Sequence, residues 1–306
     1  MDITKRPTTK LYIIVGLIVL CLLVQACARA PYTGRRQLLL TSESQENALG
    51  YRAFEDISRK YPPCKDPEIN ALVHKVGQRI AQAAARPDFR WDFEVFQDDK
   101  MANAFCLPGG KIGIFTGILK YTKDEAGLAT VMAHEAAHAI LRHAGERLSQ
   151  SLLVQLGGIG LNMALAGQNP YLGDAILQAY GLGTTVGVIL PYSRTQEYEA
   201  DRVGLILMAK AGYEPAQALD FWQRMLASKE KEAQPPQFLS THPTDASRIQ
   251  EIKRLLPEAQ RYYRPQEEAA ANPPSEPRKT LQLRRRTSPL IPFSMPWSQH
   301  RSYRLH

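Results

Sequence analysis

Two histidines and a glutamate stand inside an otherwise apolar run of the sequence, at His134, Glu135 and His138. Residues four apart lie on one face of an α-helix, so both imidazoles would point the same way, with Glu135 one step round the helix. Two solvated histidines on a polar surface fit poorly, because the rest of the run is too apolar for a surface helix. Its apolar members are Val131, Met132, Ala133, Ala136, Ala137 and Ile140. The fold must therefore enclose this helix, and the paired imidazoles predict a zinc site.

Three helices are predicted around this pattern. Thr122 and Glu125 have the spacing of a capping box, so the helix that carries the two histidines should begin there. Apolar residues also recur at helical spacing in two earlier segments, from Ser42 to about Tyr61 and from Asp66 to Ala84.

Three short segments between these helices have the features of β-strands. Phe89–Phe96 alternates apolar and charged residues, and Asn103–Leu107 and Lys111–Thr116 flank the turn Pro108-Gly109-Gly110. We expect a small, partly antiparallel sheet. Either Lys111–Thr116 or the Asn103 segment would form an edge strand that holds an extended polypeptide, with Asn103 as a candidate substrate contact.

A catalytic zinc site needs a third protein ligand and an open position for water. The best source is segment 193–201, in which Glu197 and Asp201 stand four apart on one helix face. Glu197 could bind the metal while Asp201 accepts a hydrogen bond from a metal-binding histidine. Glu199, on a different face, is the rival ligand, and an ordinary charged helix start is the plain alternative. His143 is one residue out of register for a third histidine ligand, so we expect it in packing or behind the metal.

Size and charge narrow the class of protein. The chain has 306 residues, of which 44% are hydrophobic, which suits one catalytic domain with appendages. Its formal charge of +8 lies at the ends, because residues 1–30 contribute +3 and residues 264–306 contribute +5. This distribution argues against nucleic-acid binding. The tail has no apolar periodicity and is expected to be disordered, although Arg284-Arg285-Arg286 could meet a phosphate-rich or membrane-surface partner.

The beginning of the chain has the pattern of a targeting segment. Basic residues precede the apolar run Leu11–Val24, which is shorter than the about 20 residues of a membrane span. Residues 24–27 resemble a bacterial lipobox in which Cys27 receives lipid, although Gln25 matches imperfectly. An uncleaved signal anchor is the alternative, and both predict tethering to a membrane. The chain would then divide into a signal or anchor (1–27), a catalytic domain (28–263) and a tail (264–306).

Two features leave alternatives open. Cys64 and Cys106 would form a disulfide in an oxidising compartment, or remain two unpaired thiols. The glycine-rich stretch 151–190 favours close helix packing around the site, with membrane contact as the weaker alternative.

Several motifs together resemble a known family. HEAAH with a histidine shortly after it, SRTQEYEAD, NAFCLPGGKIGIFTG and STHP are similar to motifs of the HtpX-like zinc endopeptidases, which include CaaX prenyl proteases. PYTGRRQLLL and the lipobox are most similar to the bacterial lipoprotein branch, with LoiP, BepA and the mitochondrial Oma protease. The resemblance covers about residues 31–263. Cys106 departs from the family, which usually has an aliphatic residue there.

This resemblance implies an α+β, gluzincin-type fold that is mainly helical, with the edge strand of its small sheet beside the histidine helix. It selects Glu197 as the third ligand, because the family's metal-binding glutamate stands four residues before the aspartate of an Ala-Asp pair. One Zn²⁺ per chain would be held by His134, His138 and Glu197. Ala28 after the lipidated cysteine implies outer-membrane sorting, facing the periplasm, with inner-membrane anchoring as the alternative.

We therefore expect a zinc endopeptidase that cleaves unfolded or misassembled polypeptides in the bacterial envelope, with Glu135 as general base. His242 would donate to the oxyanion or bind zinc in a closed, inactive state, or it is a surface histidine before a proline. Partners would be polypeptide substrates, the membrane, and envelope assembly or protease partners. A non-catalytic envelope chaperone is the main rival function, and a membrane-surface binding protein driven by the basic tail is the second.

Overall fold

The computed structural model describes residues 27–165, 190–231 and 236–265. Its first element is a two-stranded antiparallel hairpin of β1 (Cys27–Arg29) and β2 (Arg36–Leu38). The apolar run Leu11–Val24 and nearly all of the basic tail lie outside the described residues, so their predicted roles stay predictions.

The two predicted N-terminal helices are present, and each begins at a side-chain cap. In α1 (Glu43–Lys60), Ser42 forms a capping box with Gln45. In α2 (Pro67–Ala84), the Asp66 carboxylate accepts two backbone N–H groups. These caps satisfy amides that have no partner within the helix. The buried face of α2 packs on β3 and on the histidine helix.

The sheet contains β3 (Asp92–Phe96), β4 (Ala104–Leu107) and β5 (Lys111–Phe115) in the order β3-β5-β4. β3 is parallel to β5 and β4 is antiparallel to it, which confirms the partly antiparallel sheet. Of the two alternatives for the edge strand, Lys111–Thr116 is excluded, because β5 is hydrogen-bonded on both sides. The strand after Asn103 is one of the two edge strands, and it packs beside the histidine helix.

A short helix, α3 (Leu119–Thr122), precedes α4 (Glu125–Ile140), which carries His134 and His138. The predicted Thr122–Glu125 capping box is wrong. Thr122 already belongs to α3, and Lys123 ends that helix with a positive φ of 64°. Asp124 then caps α4 by accepting the Gly127 N–H at 2.8 Å. Every residue of α4 from 127 to 140 is buried, as its apolar sequence predicts.

Five further helices are described: α5 (His143–Leu165), α6 (Leu190–Lys210), α7 (Gln217–Lys231), α8 (Gln237–Thr241) and α9 (Ala246–Gln260). α6 makes the most extensive contact with α4. Gly204 allows this close approach, because a Cβ there would lie 3.1 Å from the His134 backbone. α6 and α4 therefore bring segment 193–201 and the two histidines together.

The predicted close packing of the glycine-rich stretch is wrong for its described part. Leu156, Ile159 and Met163 on α5 are 56–74% exposed, and a Cβ at Gly160 would meet nothing within 4 Å, because no described element lies against this part of the helix. Residues 166–189 lie outside the described residues. Among the described helices, none has the length and apolar character needed to cross a bilayer.

One hydrophobic core extends from Ala30 in the hairpin region to Ala259 in α9. This arrangement confirms the predicted α+β class, mainly helical with a small sheet. The domain boundaries at residues 28 and 263 stay predictions. Cys64 and Cys106 are both free thiols, so the disulfide that the sequence left open is not formed.

Candidate metal centre

His134 and His138 face one point from consecutive turns of α4. Their Nε2 atoms are 3.1 Å apart, and both side chains are buried. The two imidazoles are therefore arranged as their spacing of four residues predicts.

Two further side chains reach the same point from other elements. Glu197 on α6 has carboxylate oxygens 3.3 Å from His134 Nε2 and 3.4 Å from His138 Nε2. His242 follows α8 and has its Nδ1 3.2 Å from His134 Nε2 and 3.1 Å from Glu197 Oε2. All four ligand atoms lie within 4.8 Å of one another.

The rival ligand Glu199 does not take part in this cluster. It is held by Thr33, Arg35 and His143, on the far side of His138. His143 is likewise not in the cluster, because its Nδ1 lies 2.8 Å from the opposite nitrogen of His138, Nδ1. Both residues thus lie behind His138 rather than at the common point.

The dimensions of the cluster suit a divalent metal. Bonds of about 2.0–2.1 Å in a tetrahedron require about 3.3 Å between ligand atoms. With Glu197 Oε2 as the carboxylate ligand atom, four of the six pairs have separations of 3.1 to 3.3 Å. Three imidazoles and one carboxylate are donors that Zn²⁺ accepts well, so the residues present fit zinc.

Burial and neighbouring charges set the protonation of the cluster residues. Burial lowers the pKa of His138 to about 3, although Glu197 acts in the opposite direction, so the ring is neutral and offers a lone pair. Burial would raise the pKa of Glu197, but the neighbouring histidines outweigh it and hold the pKa well below its usual range. Burial also opposes charge on His242, yet Glu135 and Glu197 raise its pKa to about 9. Without a metal, a protonated His242 balances these carboxylates.

Glu135 lies next to this cluster but outside it. Its side chain is buried, and its Oε1 is 3.1 Å from His242 Nε2. Burial and the Glu135 charge both raise the pKa of the nearby Cys106 thiol, so Cys106 stays protonated. Glu135 therefore lies beside the metal site without being one of the four cluster residues.

Asp201 lies behind His134, with Oδ1 3.1 Å from His134 Nδ1. Arg248 on α9 donates two hydrogen bonds to this carboxylate, at 2.7 and 2.8 Å, and its guanidinium stacks 3.9 Å from the Trp222 ring centroid. Burial alone would raise the pKa of Asp201, but Arg248 outweighs burial and lowers that pKa, so Asp201 stays ionised.

Sequence reasoning missed Arg248. The available signal was its position in an apolar stripe, because Arg248, Ile252 and Leu255 share the buried face of α9. An arginine on such a face requires a buried acidic partner.

Asn103 stands directly before the edge strand β4. Its backbone carbonyl accepts the Phe115 N–H, and its side-chain Oδ1 is buried with no hydrogen-bond partner among the described residues. The neighbouring Ala102 carbonyl accepts the Phe238 N–H of α8 at 2.9 Å. The segment that carries His242 is thus bonded to the start of the edge strand.

Cys27 is exposed at the first position of β1. Nothing in the described residues bears on its lipidation, which stays a prediction.

Comparison with known proteins gives one family. The peptidase family M48 profile matches residues 67–256, which include the four cluster residues and Glu135. The mitochondrial metalloendopeptidase OMA1 of Schizosaccharomyces pombe is 35% identical over 237 residues, covering 75% of this chain and 66% of the relative. OMA1 of Saccharomyces cerevisiae is 31% identical over 256 residues, covering 77% and 70%.

A bacterial relative is more distant. The beta-barrel assembly-enhancing protease of Escherichia coli K12 is 28% identical over 216 residues, covering 69% of this chain and 44% of the relative. The chain thus spans about two thirds of the length of the yeast relatives and less than half of the bacterial one. These similarities support a metalloprotease role and agree with the zincin-like arrangement of the cluster.

Proposed function

The chain belongs to peptidase family M48, and on that basis we propose that it is a zinc-dependent endopeptidase. The observation that carries this proposal is the convergence of His134, His138 and Glu197 in a buried cluster with Glu135 beside it. These three residues would hold one Zn²⁺ per chain, supported by Asp201 behind His134.

When bound, zinc polarises the scissile carbonyl and makes water a stronger acid. Glu135 would accept a proton from the attacking water and pass it to the leaving amine as general acid. Its pKa is lowered overall, because His242 outweighs the burial that would raise it, so the side chain is ionised before it takes the proton.

The free edge of β4 would bind the substrate as an added strand. Within the described part of the chain, β4 pairs with no strand on its outer side and Asn103 Oδ1 has no hydrogen-bond partner, so an extended polypeptide would bond to both. This mode favours unfolded or misassembled polypeptides, because a folded segment cannot present its backbone to a strand edge.

His242 would close the site in a resting state. Catalytic zinc keeps an open coordination position, whereas His242 adds a fourth ligand atom to the cluster. Its segment is also bonded to Ala102 at the start of the edge strand. In an open state, the same histidine would be free to donate to the oxyanion.

We propose that the protein works in protein quality control in the bacterial envelope, attached through Cys27 to the outer membrane and facing the periplasm. The exposure of Cys27 and the similarity to the beta-barrel assembly-enhancing protease of E. coli support this proposal. Envelope assembly or protease partners belong to the same proposal.

A non-catalytic chaperone is the second candidate, and the four-ligand cluster favours it, because structural zinc sites are closed by four protein ligands. In that case the edge of β4 would bind unfolded protein without any cleavage, and Glu135 would have no proton to transfer.

Casein cleavage by the full chain separates these functions. Wild type should cleave casein, lose activity with 1,10-phenanthroline and regain it with added zinc. Glu135→Gln should abolish cleavage while one equivalent of zinc stays bound, and Glu125→Gln at the start of the same helix is the matched control that keeps most activity. Cleavage by Glu135→Gln at the wild-type rate would exclude this mechanism. Aggregation suppressed equally by wild type and Glu135→Gln, with no cleavage by either, would support the chaperone.

Deleting residues 264–306 tests the tail-driven alternative. A peptidase should keep its cleavage rate without the tail, whereas a membrane-surface binding protein should lose its vesicle binding.

A further inference from the structure

The N-terminal hairpin sends one side chain into the interior of the domain. Arg35, directly before β2, donates two hydrogen bonds of 2.7 Å to Glu146 on α5. Its Nε also donates to Glu199 Oε2 at 2.9 Å. Bidentate pairing of this kind fixes the orientation of both groups. Arg35 thus connects the hairpin to α5 and α6 at once.

Glu199 is the centre of this connection. Besides Arg35, the Thr33 hydroxyl donates to its Oε1 at 2.5 Å, and His143 Nε2 lies 3.1 Å from its Oε2. Two of these three partners come from residues 30–35, which link β1 to β2. The hairpin region therefore supplies most of the hydrogen bonds that hold this carboxylate.

His143 transmits this arrangement to His138. It is fully buried, with Nε2 directed at Glu199 and Nδ1 2.8 Å from His138 Nδ1. An ionised carboxylate only accepts, so the hydrogen of a neutral His143 lies on Nε2 and its Nδ1 is an acceptor. His138 must then donate from Nδ1. The lone pair of His138 is left on Nε2, the atom that faces the cluster.

The two histidines of α4 are therefore supported in parallel ways. Behind His134 stand Asp201 and then Arg248, which comes from α9. Behind His138 stand His143, Glu199 and then Arg35, so this series of side chains is one residue longer than the series behind His134.

We infer that the N-terminal hairpin is a positioning element of the metal centre, in which Arg35 and Glu199 set the tautomer and orientation of His138 through His143. This inference rests on the proposed role of His138 as a metal ligand. The partners behind a metal-binding histidine typically change metal affinity about 10- to 100-fold. Arg35 acts through two intervening side chains, so its effect should lie at the lower end of that range.

Metal binding by the full chain tests this inference without using peptidase activity. Zinc affinity is measured by competition with a chromophoric chelator, and the visible spectrum of the Co²⁺-loaded chain reports its coordination. Glu199→Gln and Arg35→Met should each weaken zinc binding about tenfold or more and change the Co²⁺ spectrum. Arg35→Lys, which keeps the charge but not the fork of donors, should lie between Arg35→Met and wild type.

Arg86→Met is the matched control. Its side chain is 20% exposed, against 19% for Arg35, and it also pairs with two carboxylates, Glu43 and Asp88, yet it has no link to His138. It should change thermal stability but neither zinc affinity nor the Co²⁺ spectrum. Thr33→Val, which removes one hydrogen bond to Glu199, serves where Arg35→Met folds poorly and should weaken binding by a smaller factor.

Wild-type zinc affinity and an unchanged Co²⁺ spectrum in folded Arg35→Met and Glu199→Gln would overturn the inference. The proposed peptidase would survive that result, because it is tested by cleavage and by Glu135→Gln. Conversely, the loss of metal binding in Arg35→Met together with no cleavage by wild type or by His242→Ala would leave the hairpin role intact and exclude the peptidase. A wild type that binds no metal would overturn both.

Discussion

Arg248 holds Asp201 in a buried, bidentate pair, with hydrogen bonds of 2.7 and 2.8 Å. Arg248 is 2% exposed and Asp201 is 3% exposed, so neither charge is screened by water. A pair of this kind is costly to break, because removing one partner leaves an uncompensated charge in the interior.

Arg248→Met should lower the free energy of unfolding by about 3–5 kcal/mol, since it leaves Asp201 buried without its partner. Urea unfolding of the zinc-free protein measures this change. Arg202→Met is the control on the neighbouring residue, because Arg202 pairs with Glu258 at the surface and should cost less than about 1 kcal/mol. Equal losses in the two variants would contradict this account of Arg248.

His242→Ala should raise the rate of casein cleavage and weaken zinc binding, because it removes the fourth ligand atom of the closed state. Steady-state kinetics and chelator competition on the same preparation measure both effects. His74→Ala, at an exposed histidine of α2, should change neither. A lower kcat with unchanged zinc affinity would instead assign His242 to the oxyanion.

Asn103→Ala should raise KM and leave kcat close to wild type. Loss of one hydrogen bond worth about 0.5–1.5 kcal/mol lowers kcat/KM by about 2- to 13-fold. Kinetics with an unfolded peptide substrate test this, and Asn70→Ala, whose amide bonds to Cys64 and Asp66 at the start of α2, is the control. An unchanged KM would remove Asn103 from the substrate site.

Gly50→Ala should destabilise the contact between α1 and the turn after β4. A Cβ at this position would lie 2.2 Å from the Pro108 carbonyl oxygen, which belongs to the backbone and cannot rotate away. The expected loss is about 1–3 kcal/mol in urea unfolding. Gly160→Ala on α5, where a Cβ meets nothing within 4 Å, should gain up to about 1 kcal/mol.

Tyr213 makes the free energy of unfolding depend on pH in the alkaline range. Burial and the neighbouring Glu125 raise its pKa to about 12, and its hydroxyl donates to Glu125 at 2.7 Å. Because the folded pKa lies above the unfolded value of 10, the stabilisation is complete below pH 10 and is lost as the pH rises through about 12. Unfolding of wild type and Tyr213→Phe across this range should show the difference shrinking. A constant difference would contradict the assigned pKa.

The sequence predicts best what depends on local periodicity. α1, α2 and α4 follow apolar residues at helical spacing, and the two imidazoles of His134 and His138 meet because four residues nearly complete one turn. The four cluster residues are drawn from the motifs that carried the family resemblance. These features need no knowledge of distant contacts.

The remaining features depend on contacts between distant segments. β5 became the central strand because β3 pairs with it in parallel, which neither segment reveals alone. Arg35 and Glu199 are 164 residues apart, so no spacing rule connects them. Asp124 rather than Thr122 caps α4, because α3 already uses Thr122.

Arg35 and Arg248, which support His138 and His134, lie near opposite ends of the sequence of the domain. Arg35 emerges early during synthesis, whereas Arg248 emerges only when α9 is made. A chain interrupted before α9 would contain the whole motif on α4 and His242, but not Arg248, the partner of Asp201. Full assembly of the centre therefore has to wait until α9 is translated, because Arg248 lies near the start of that helix.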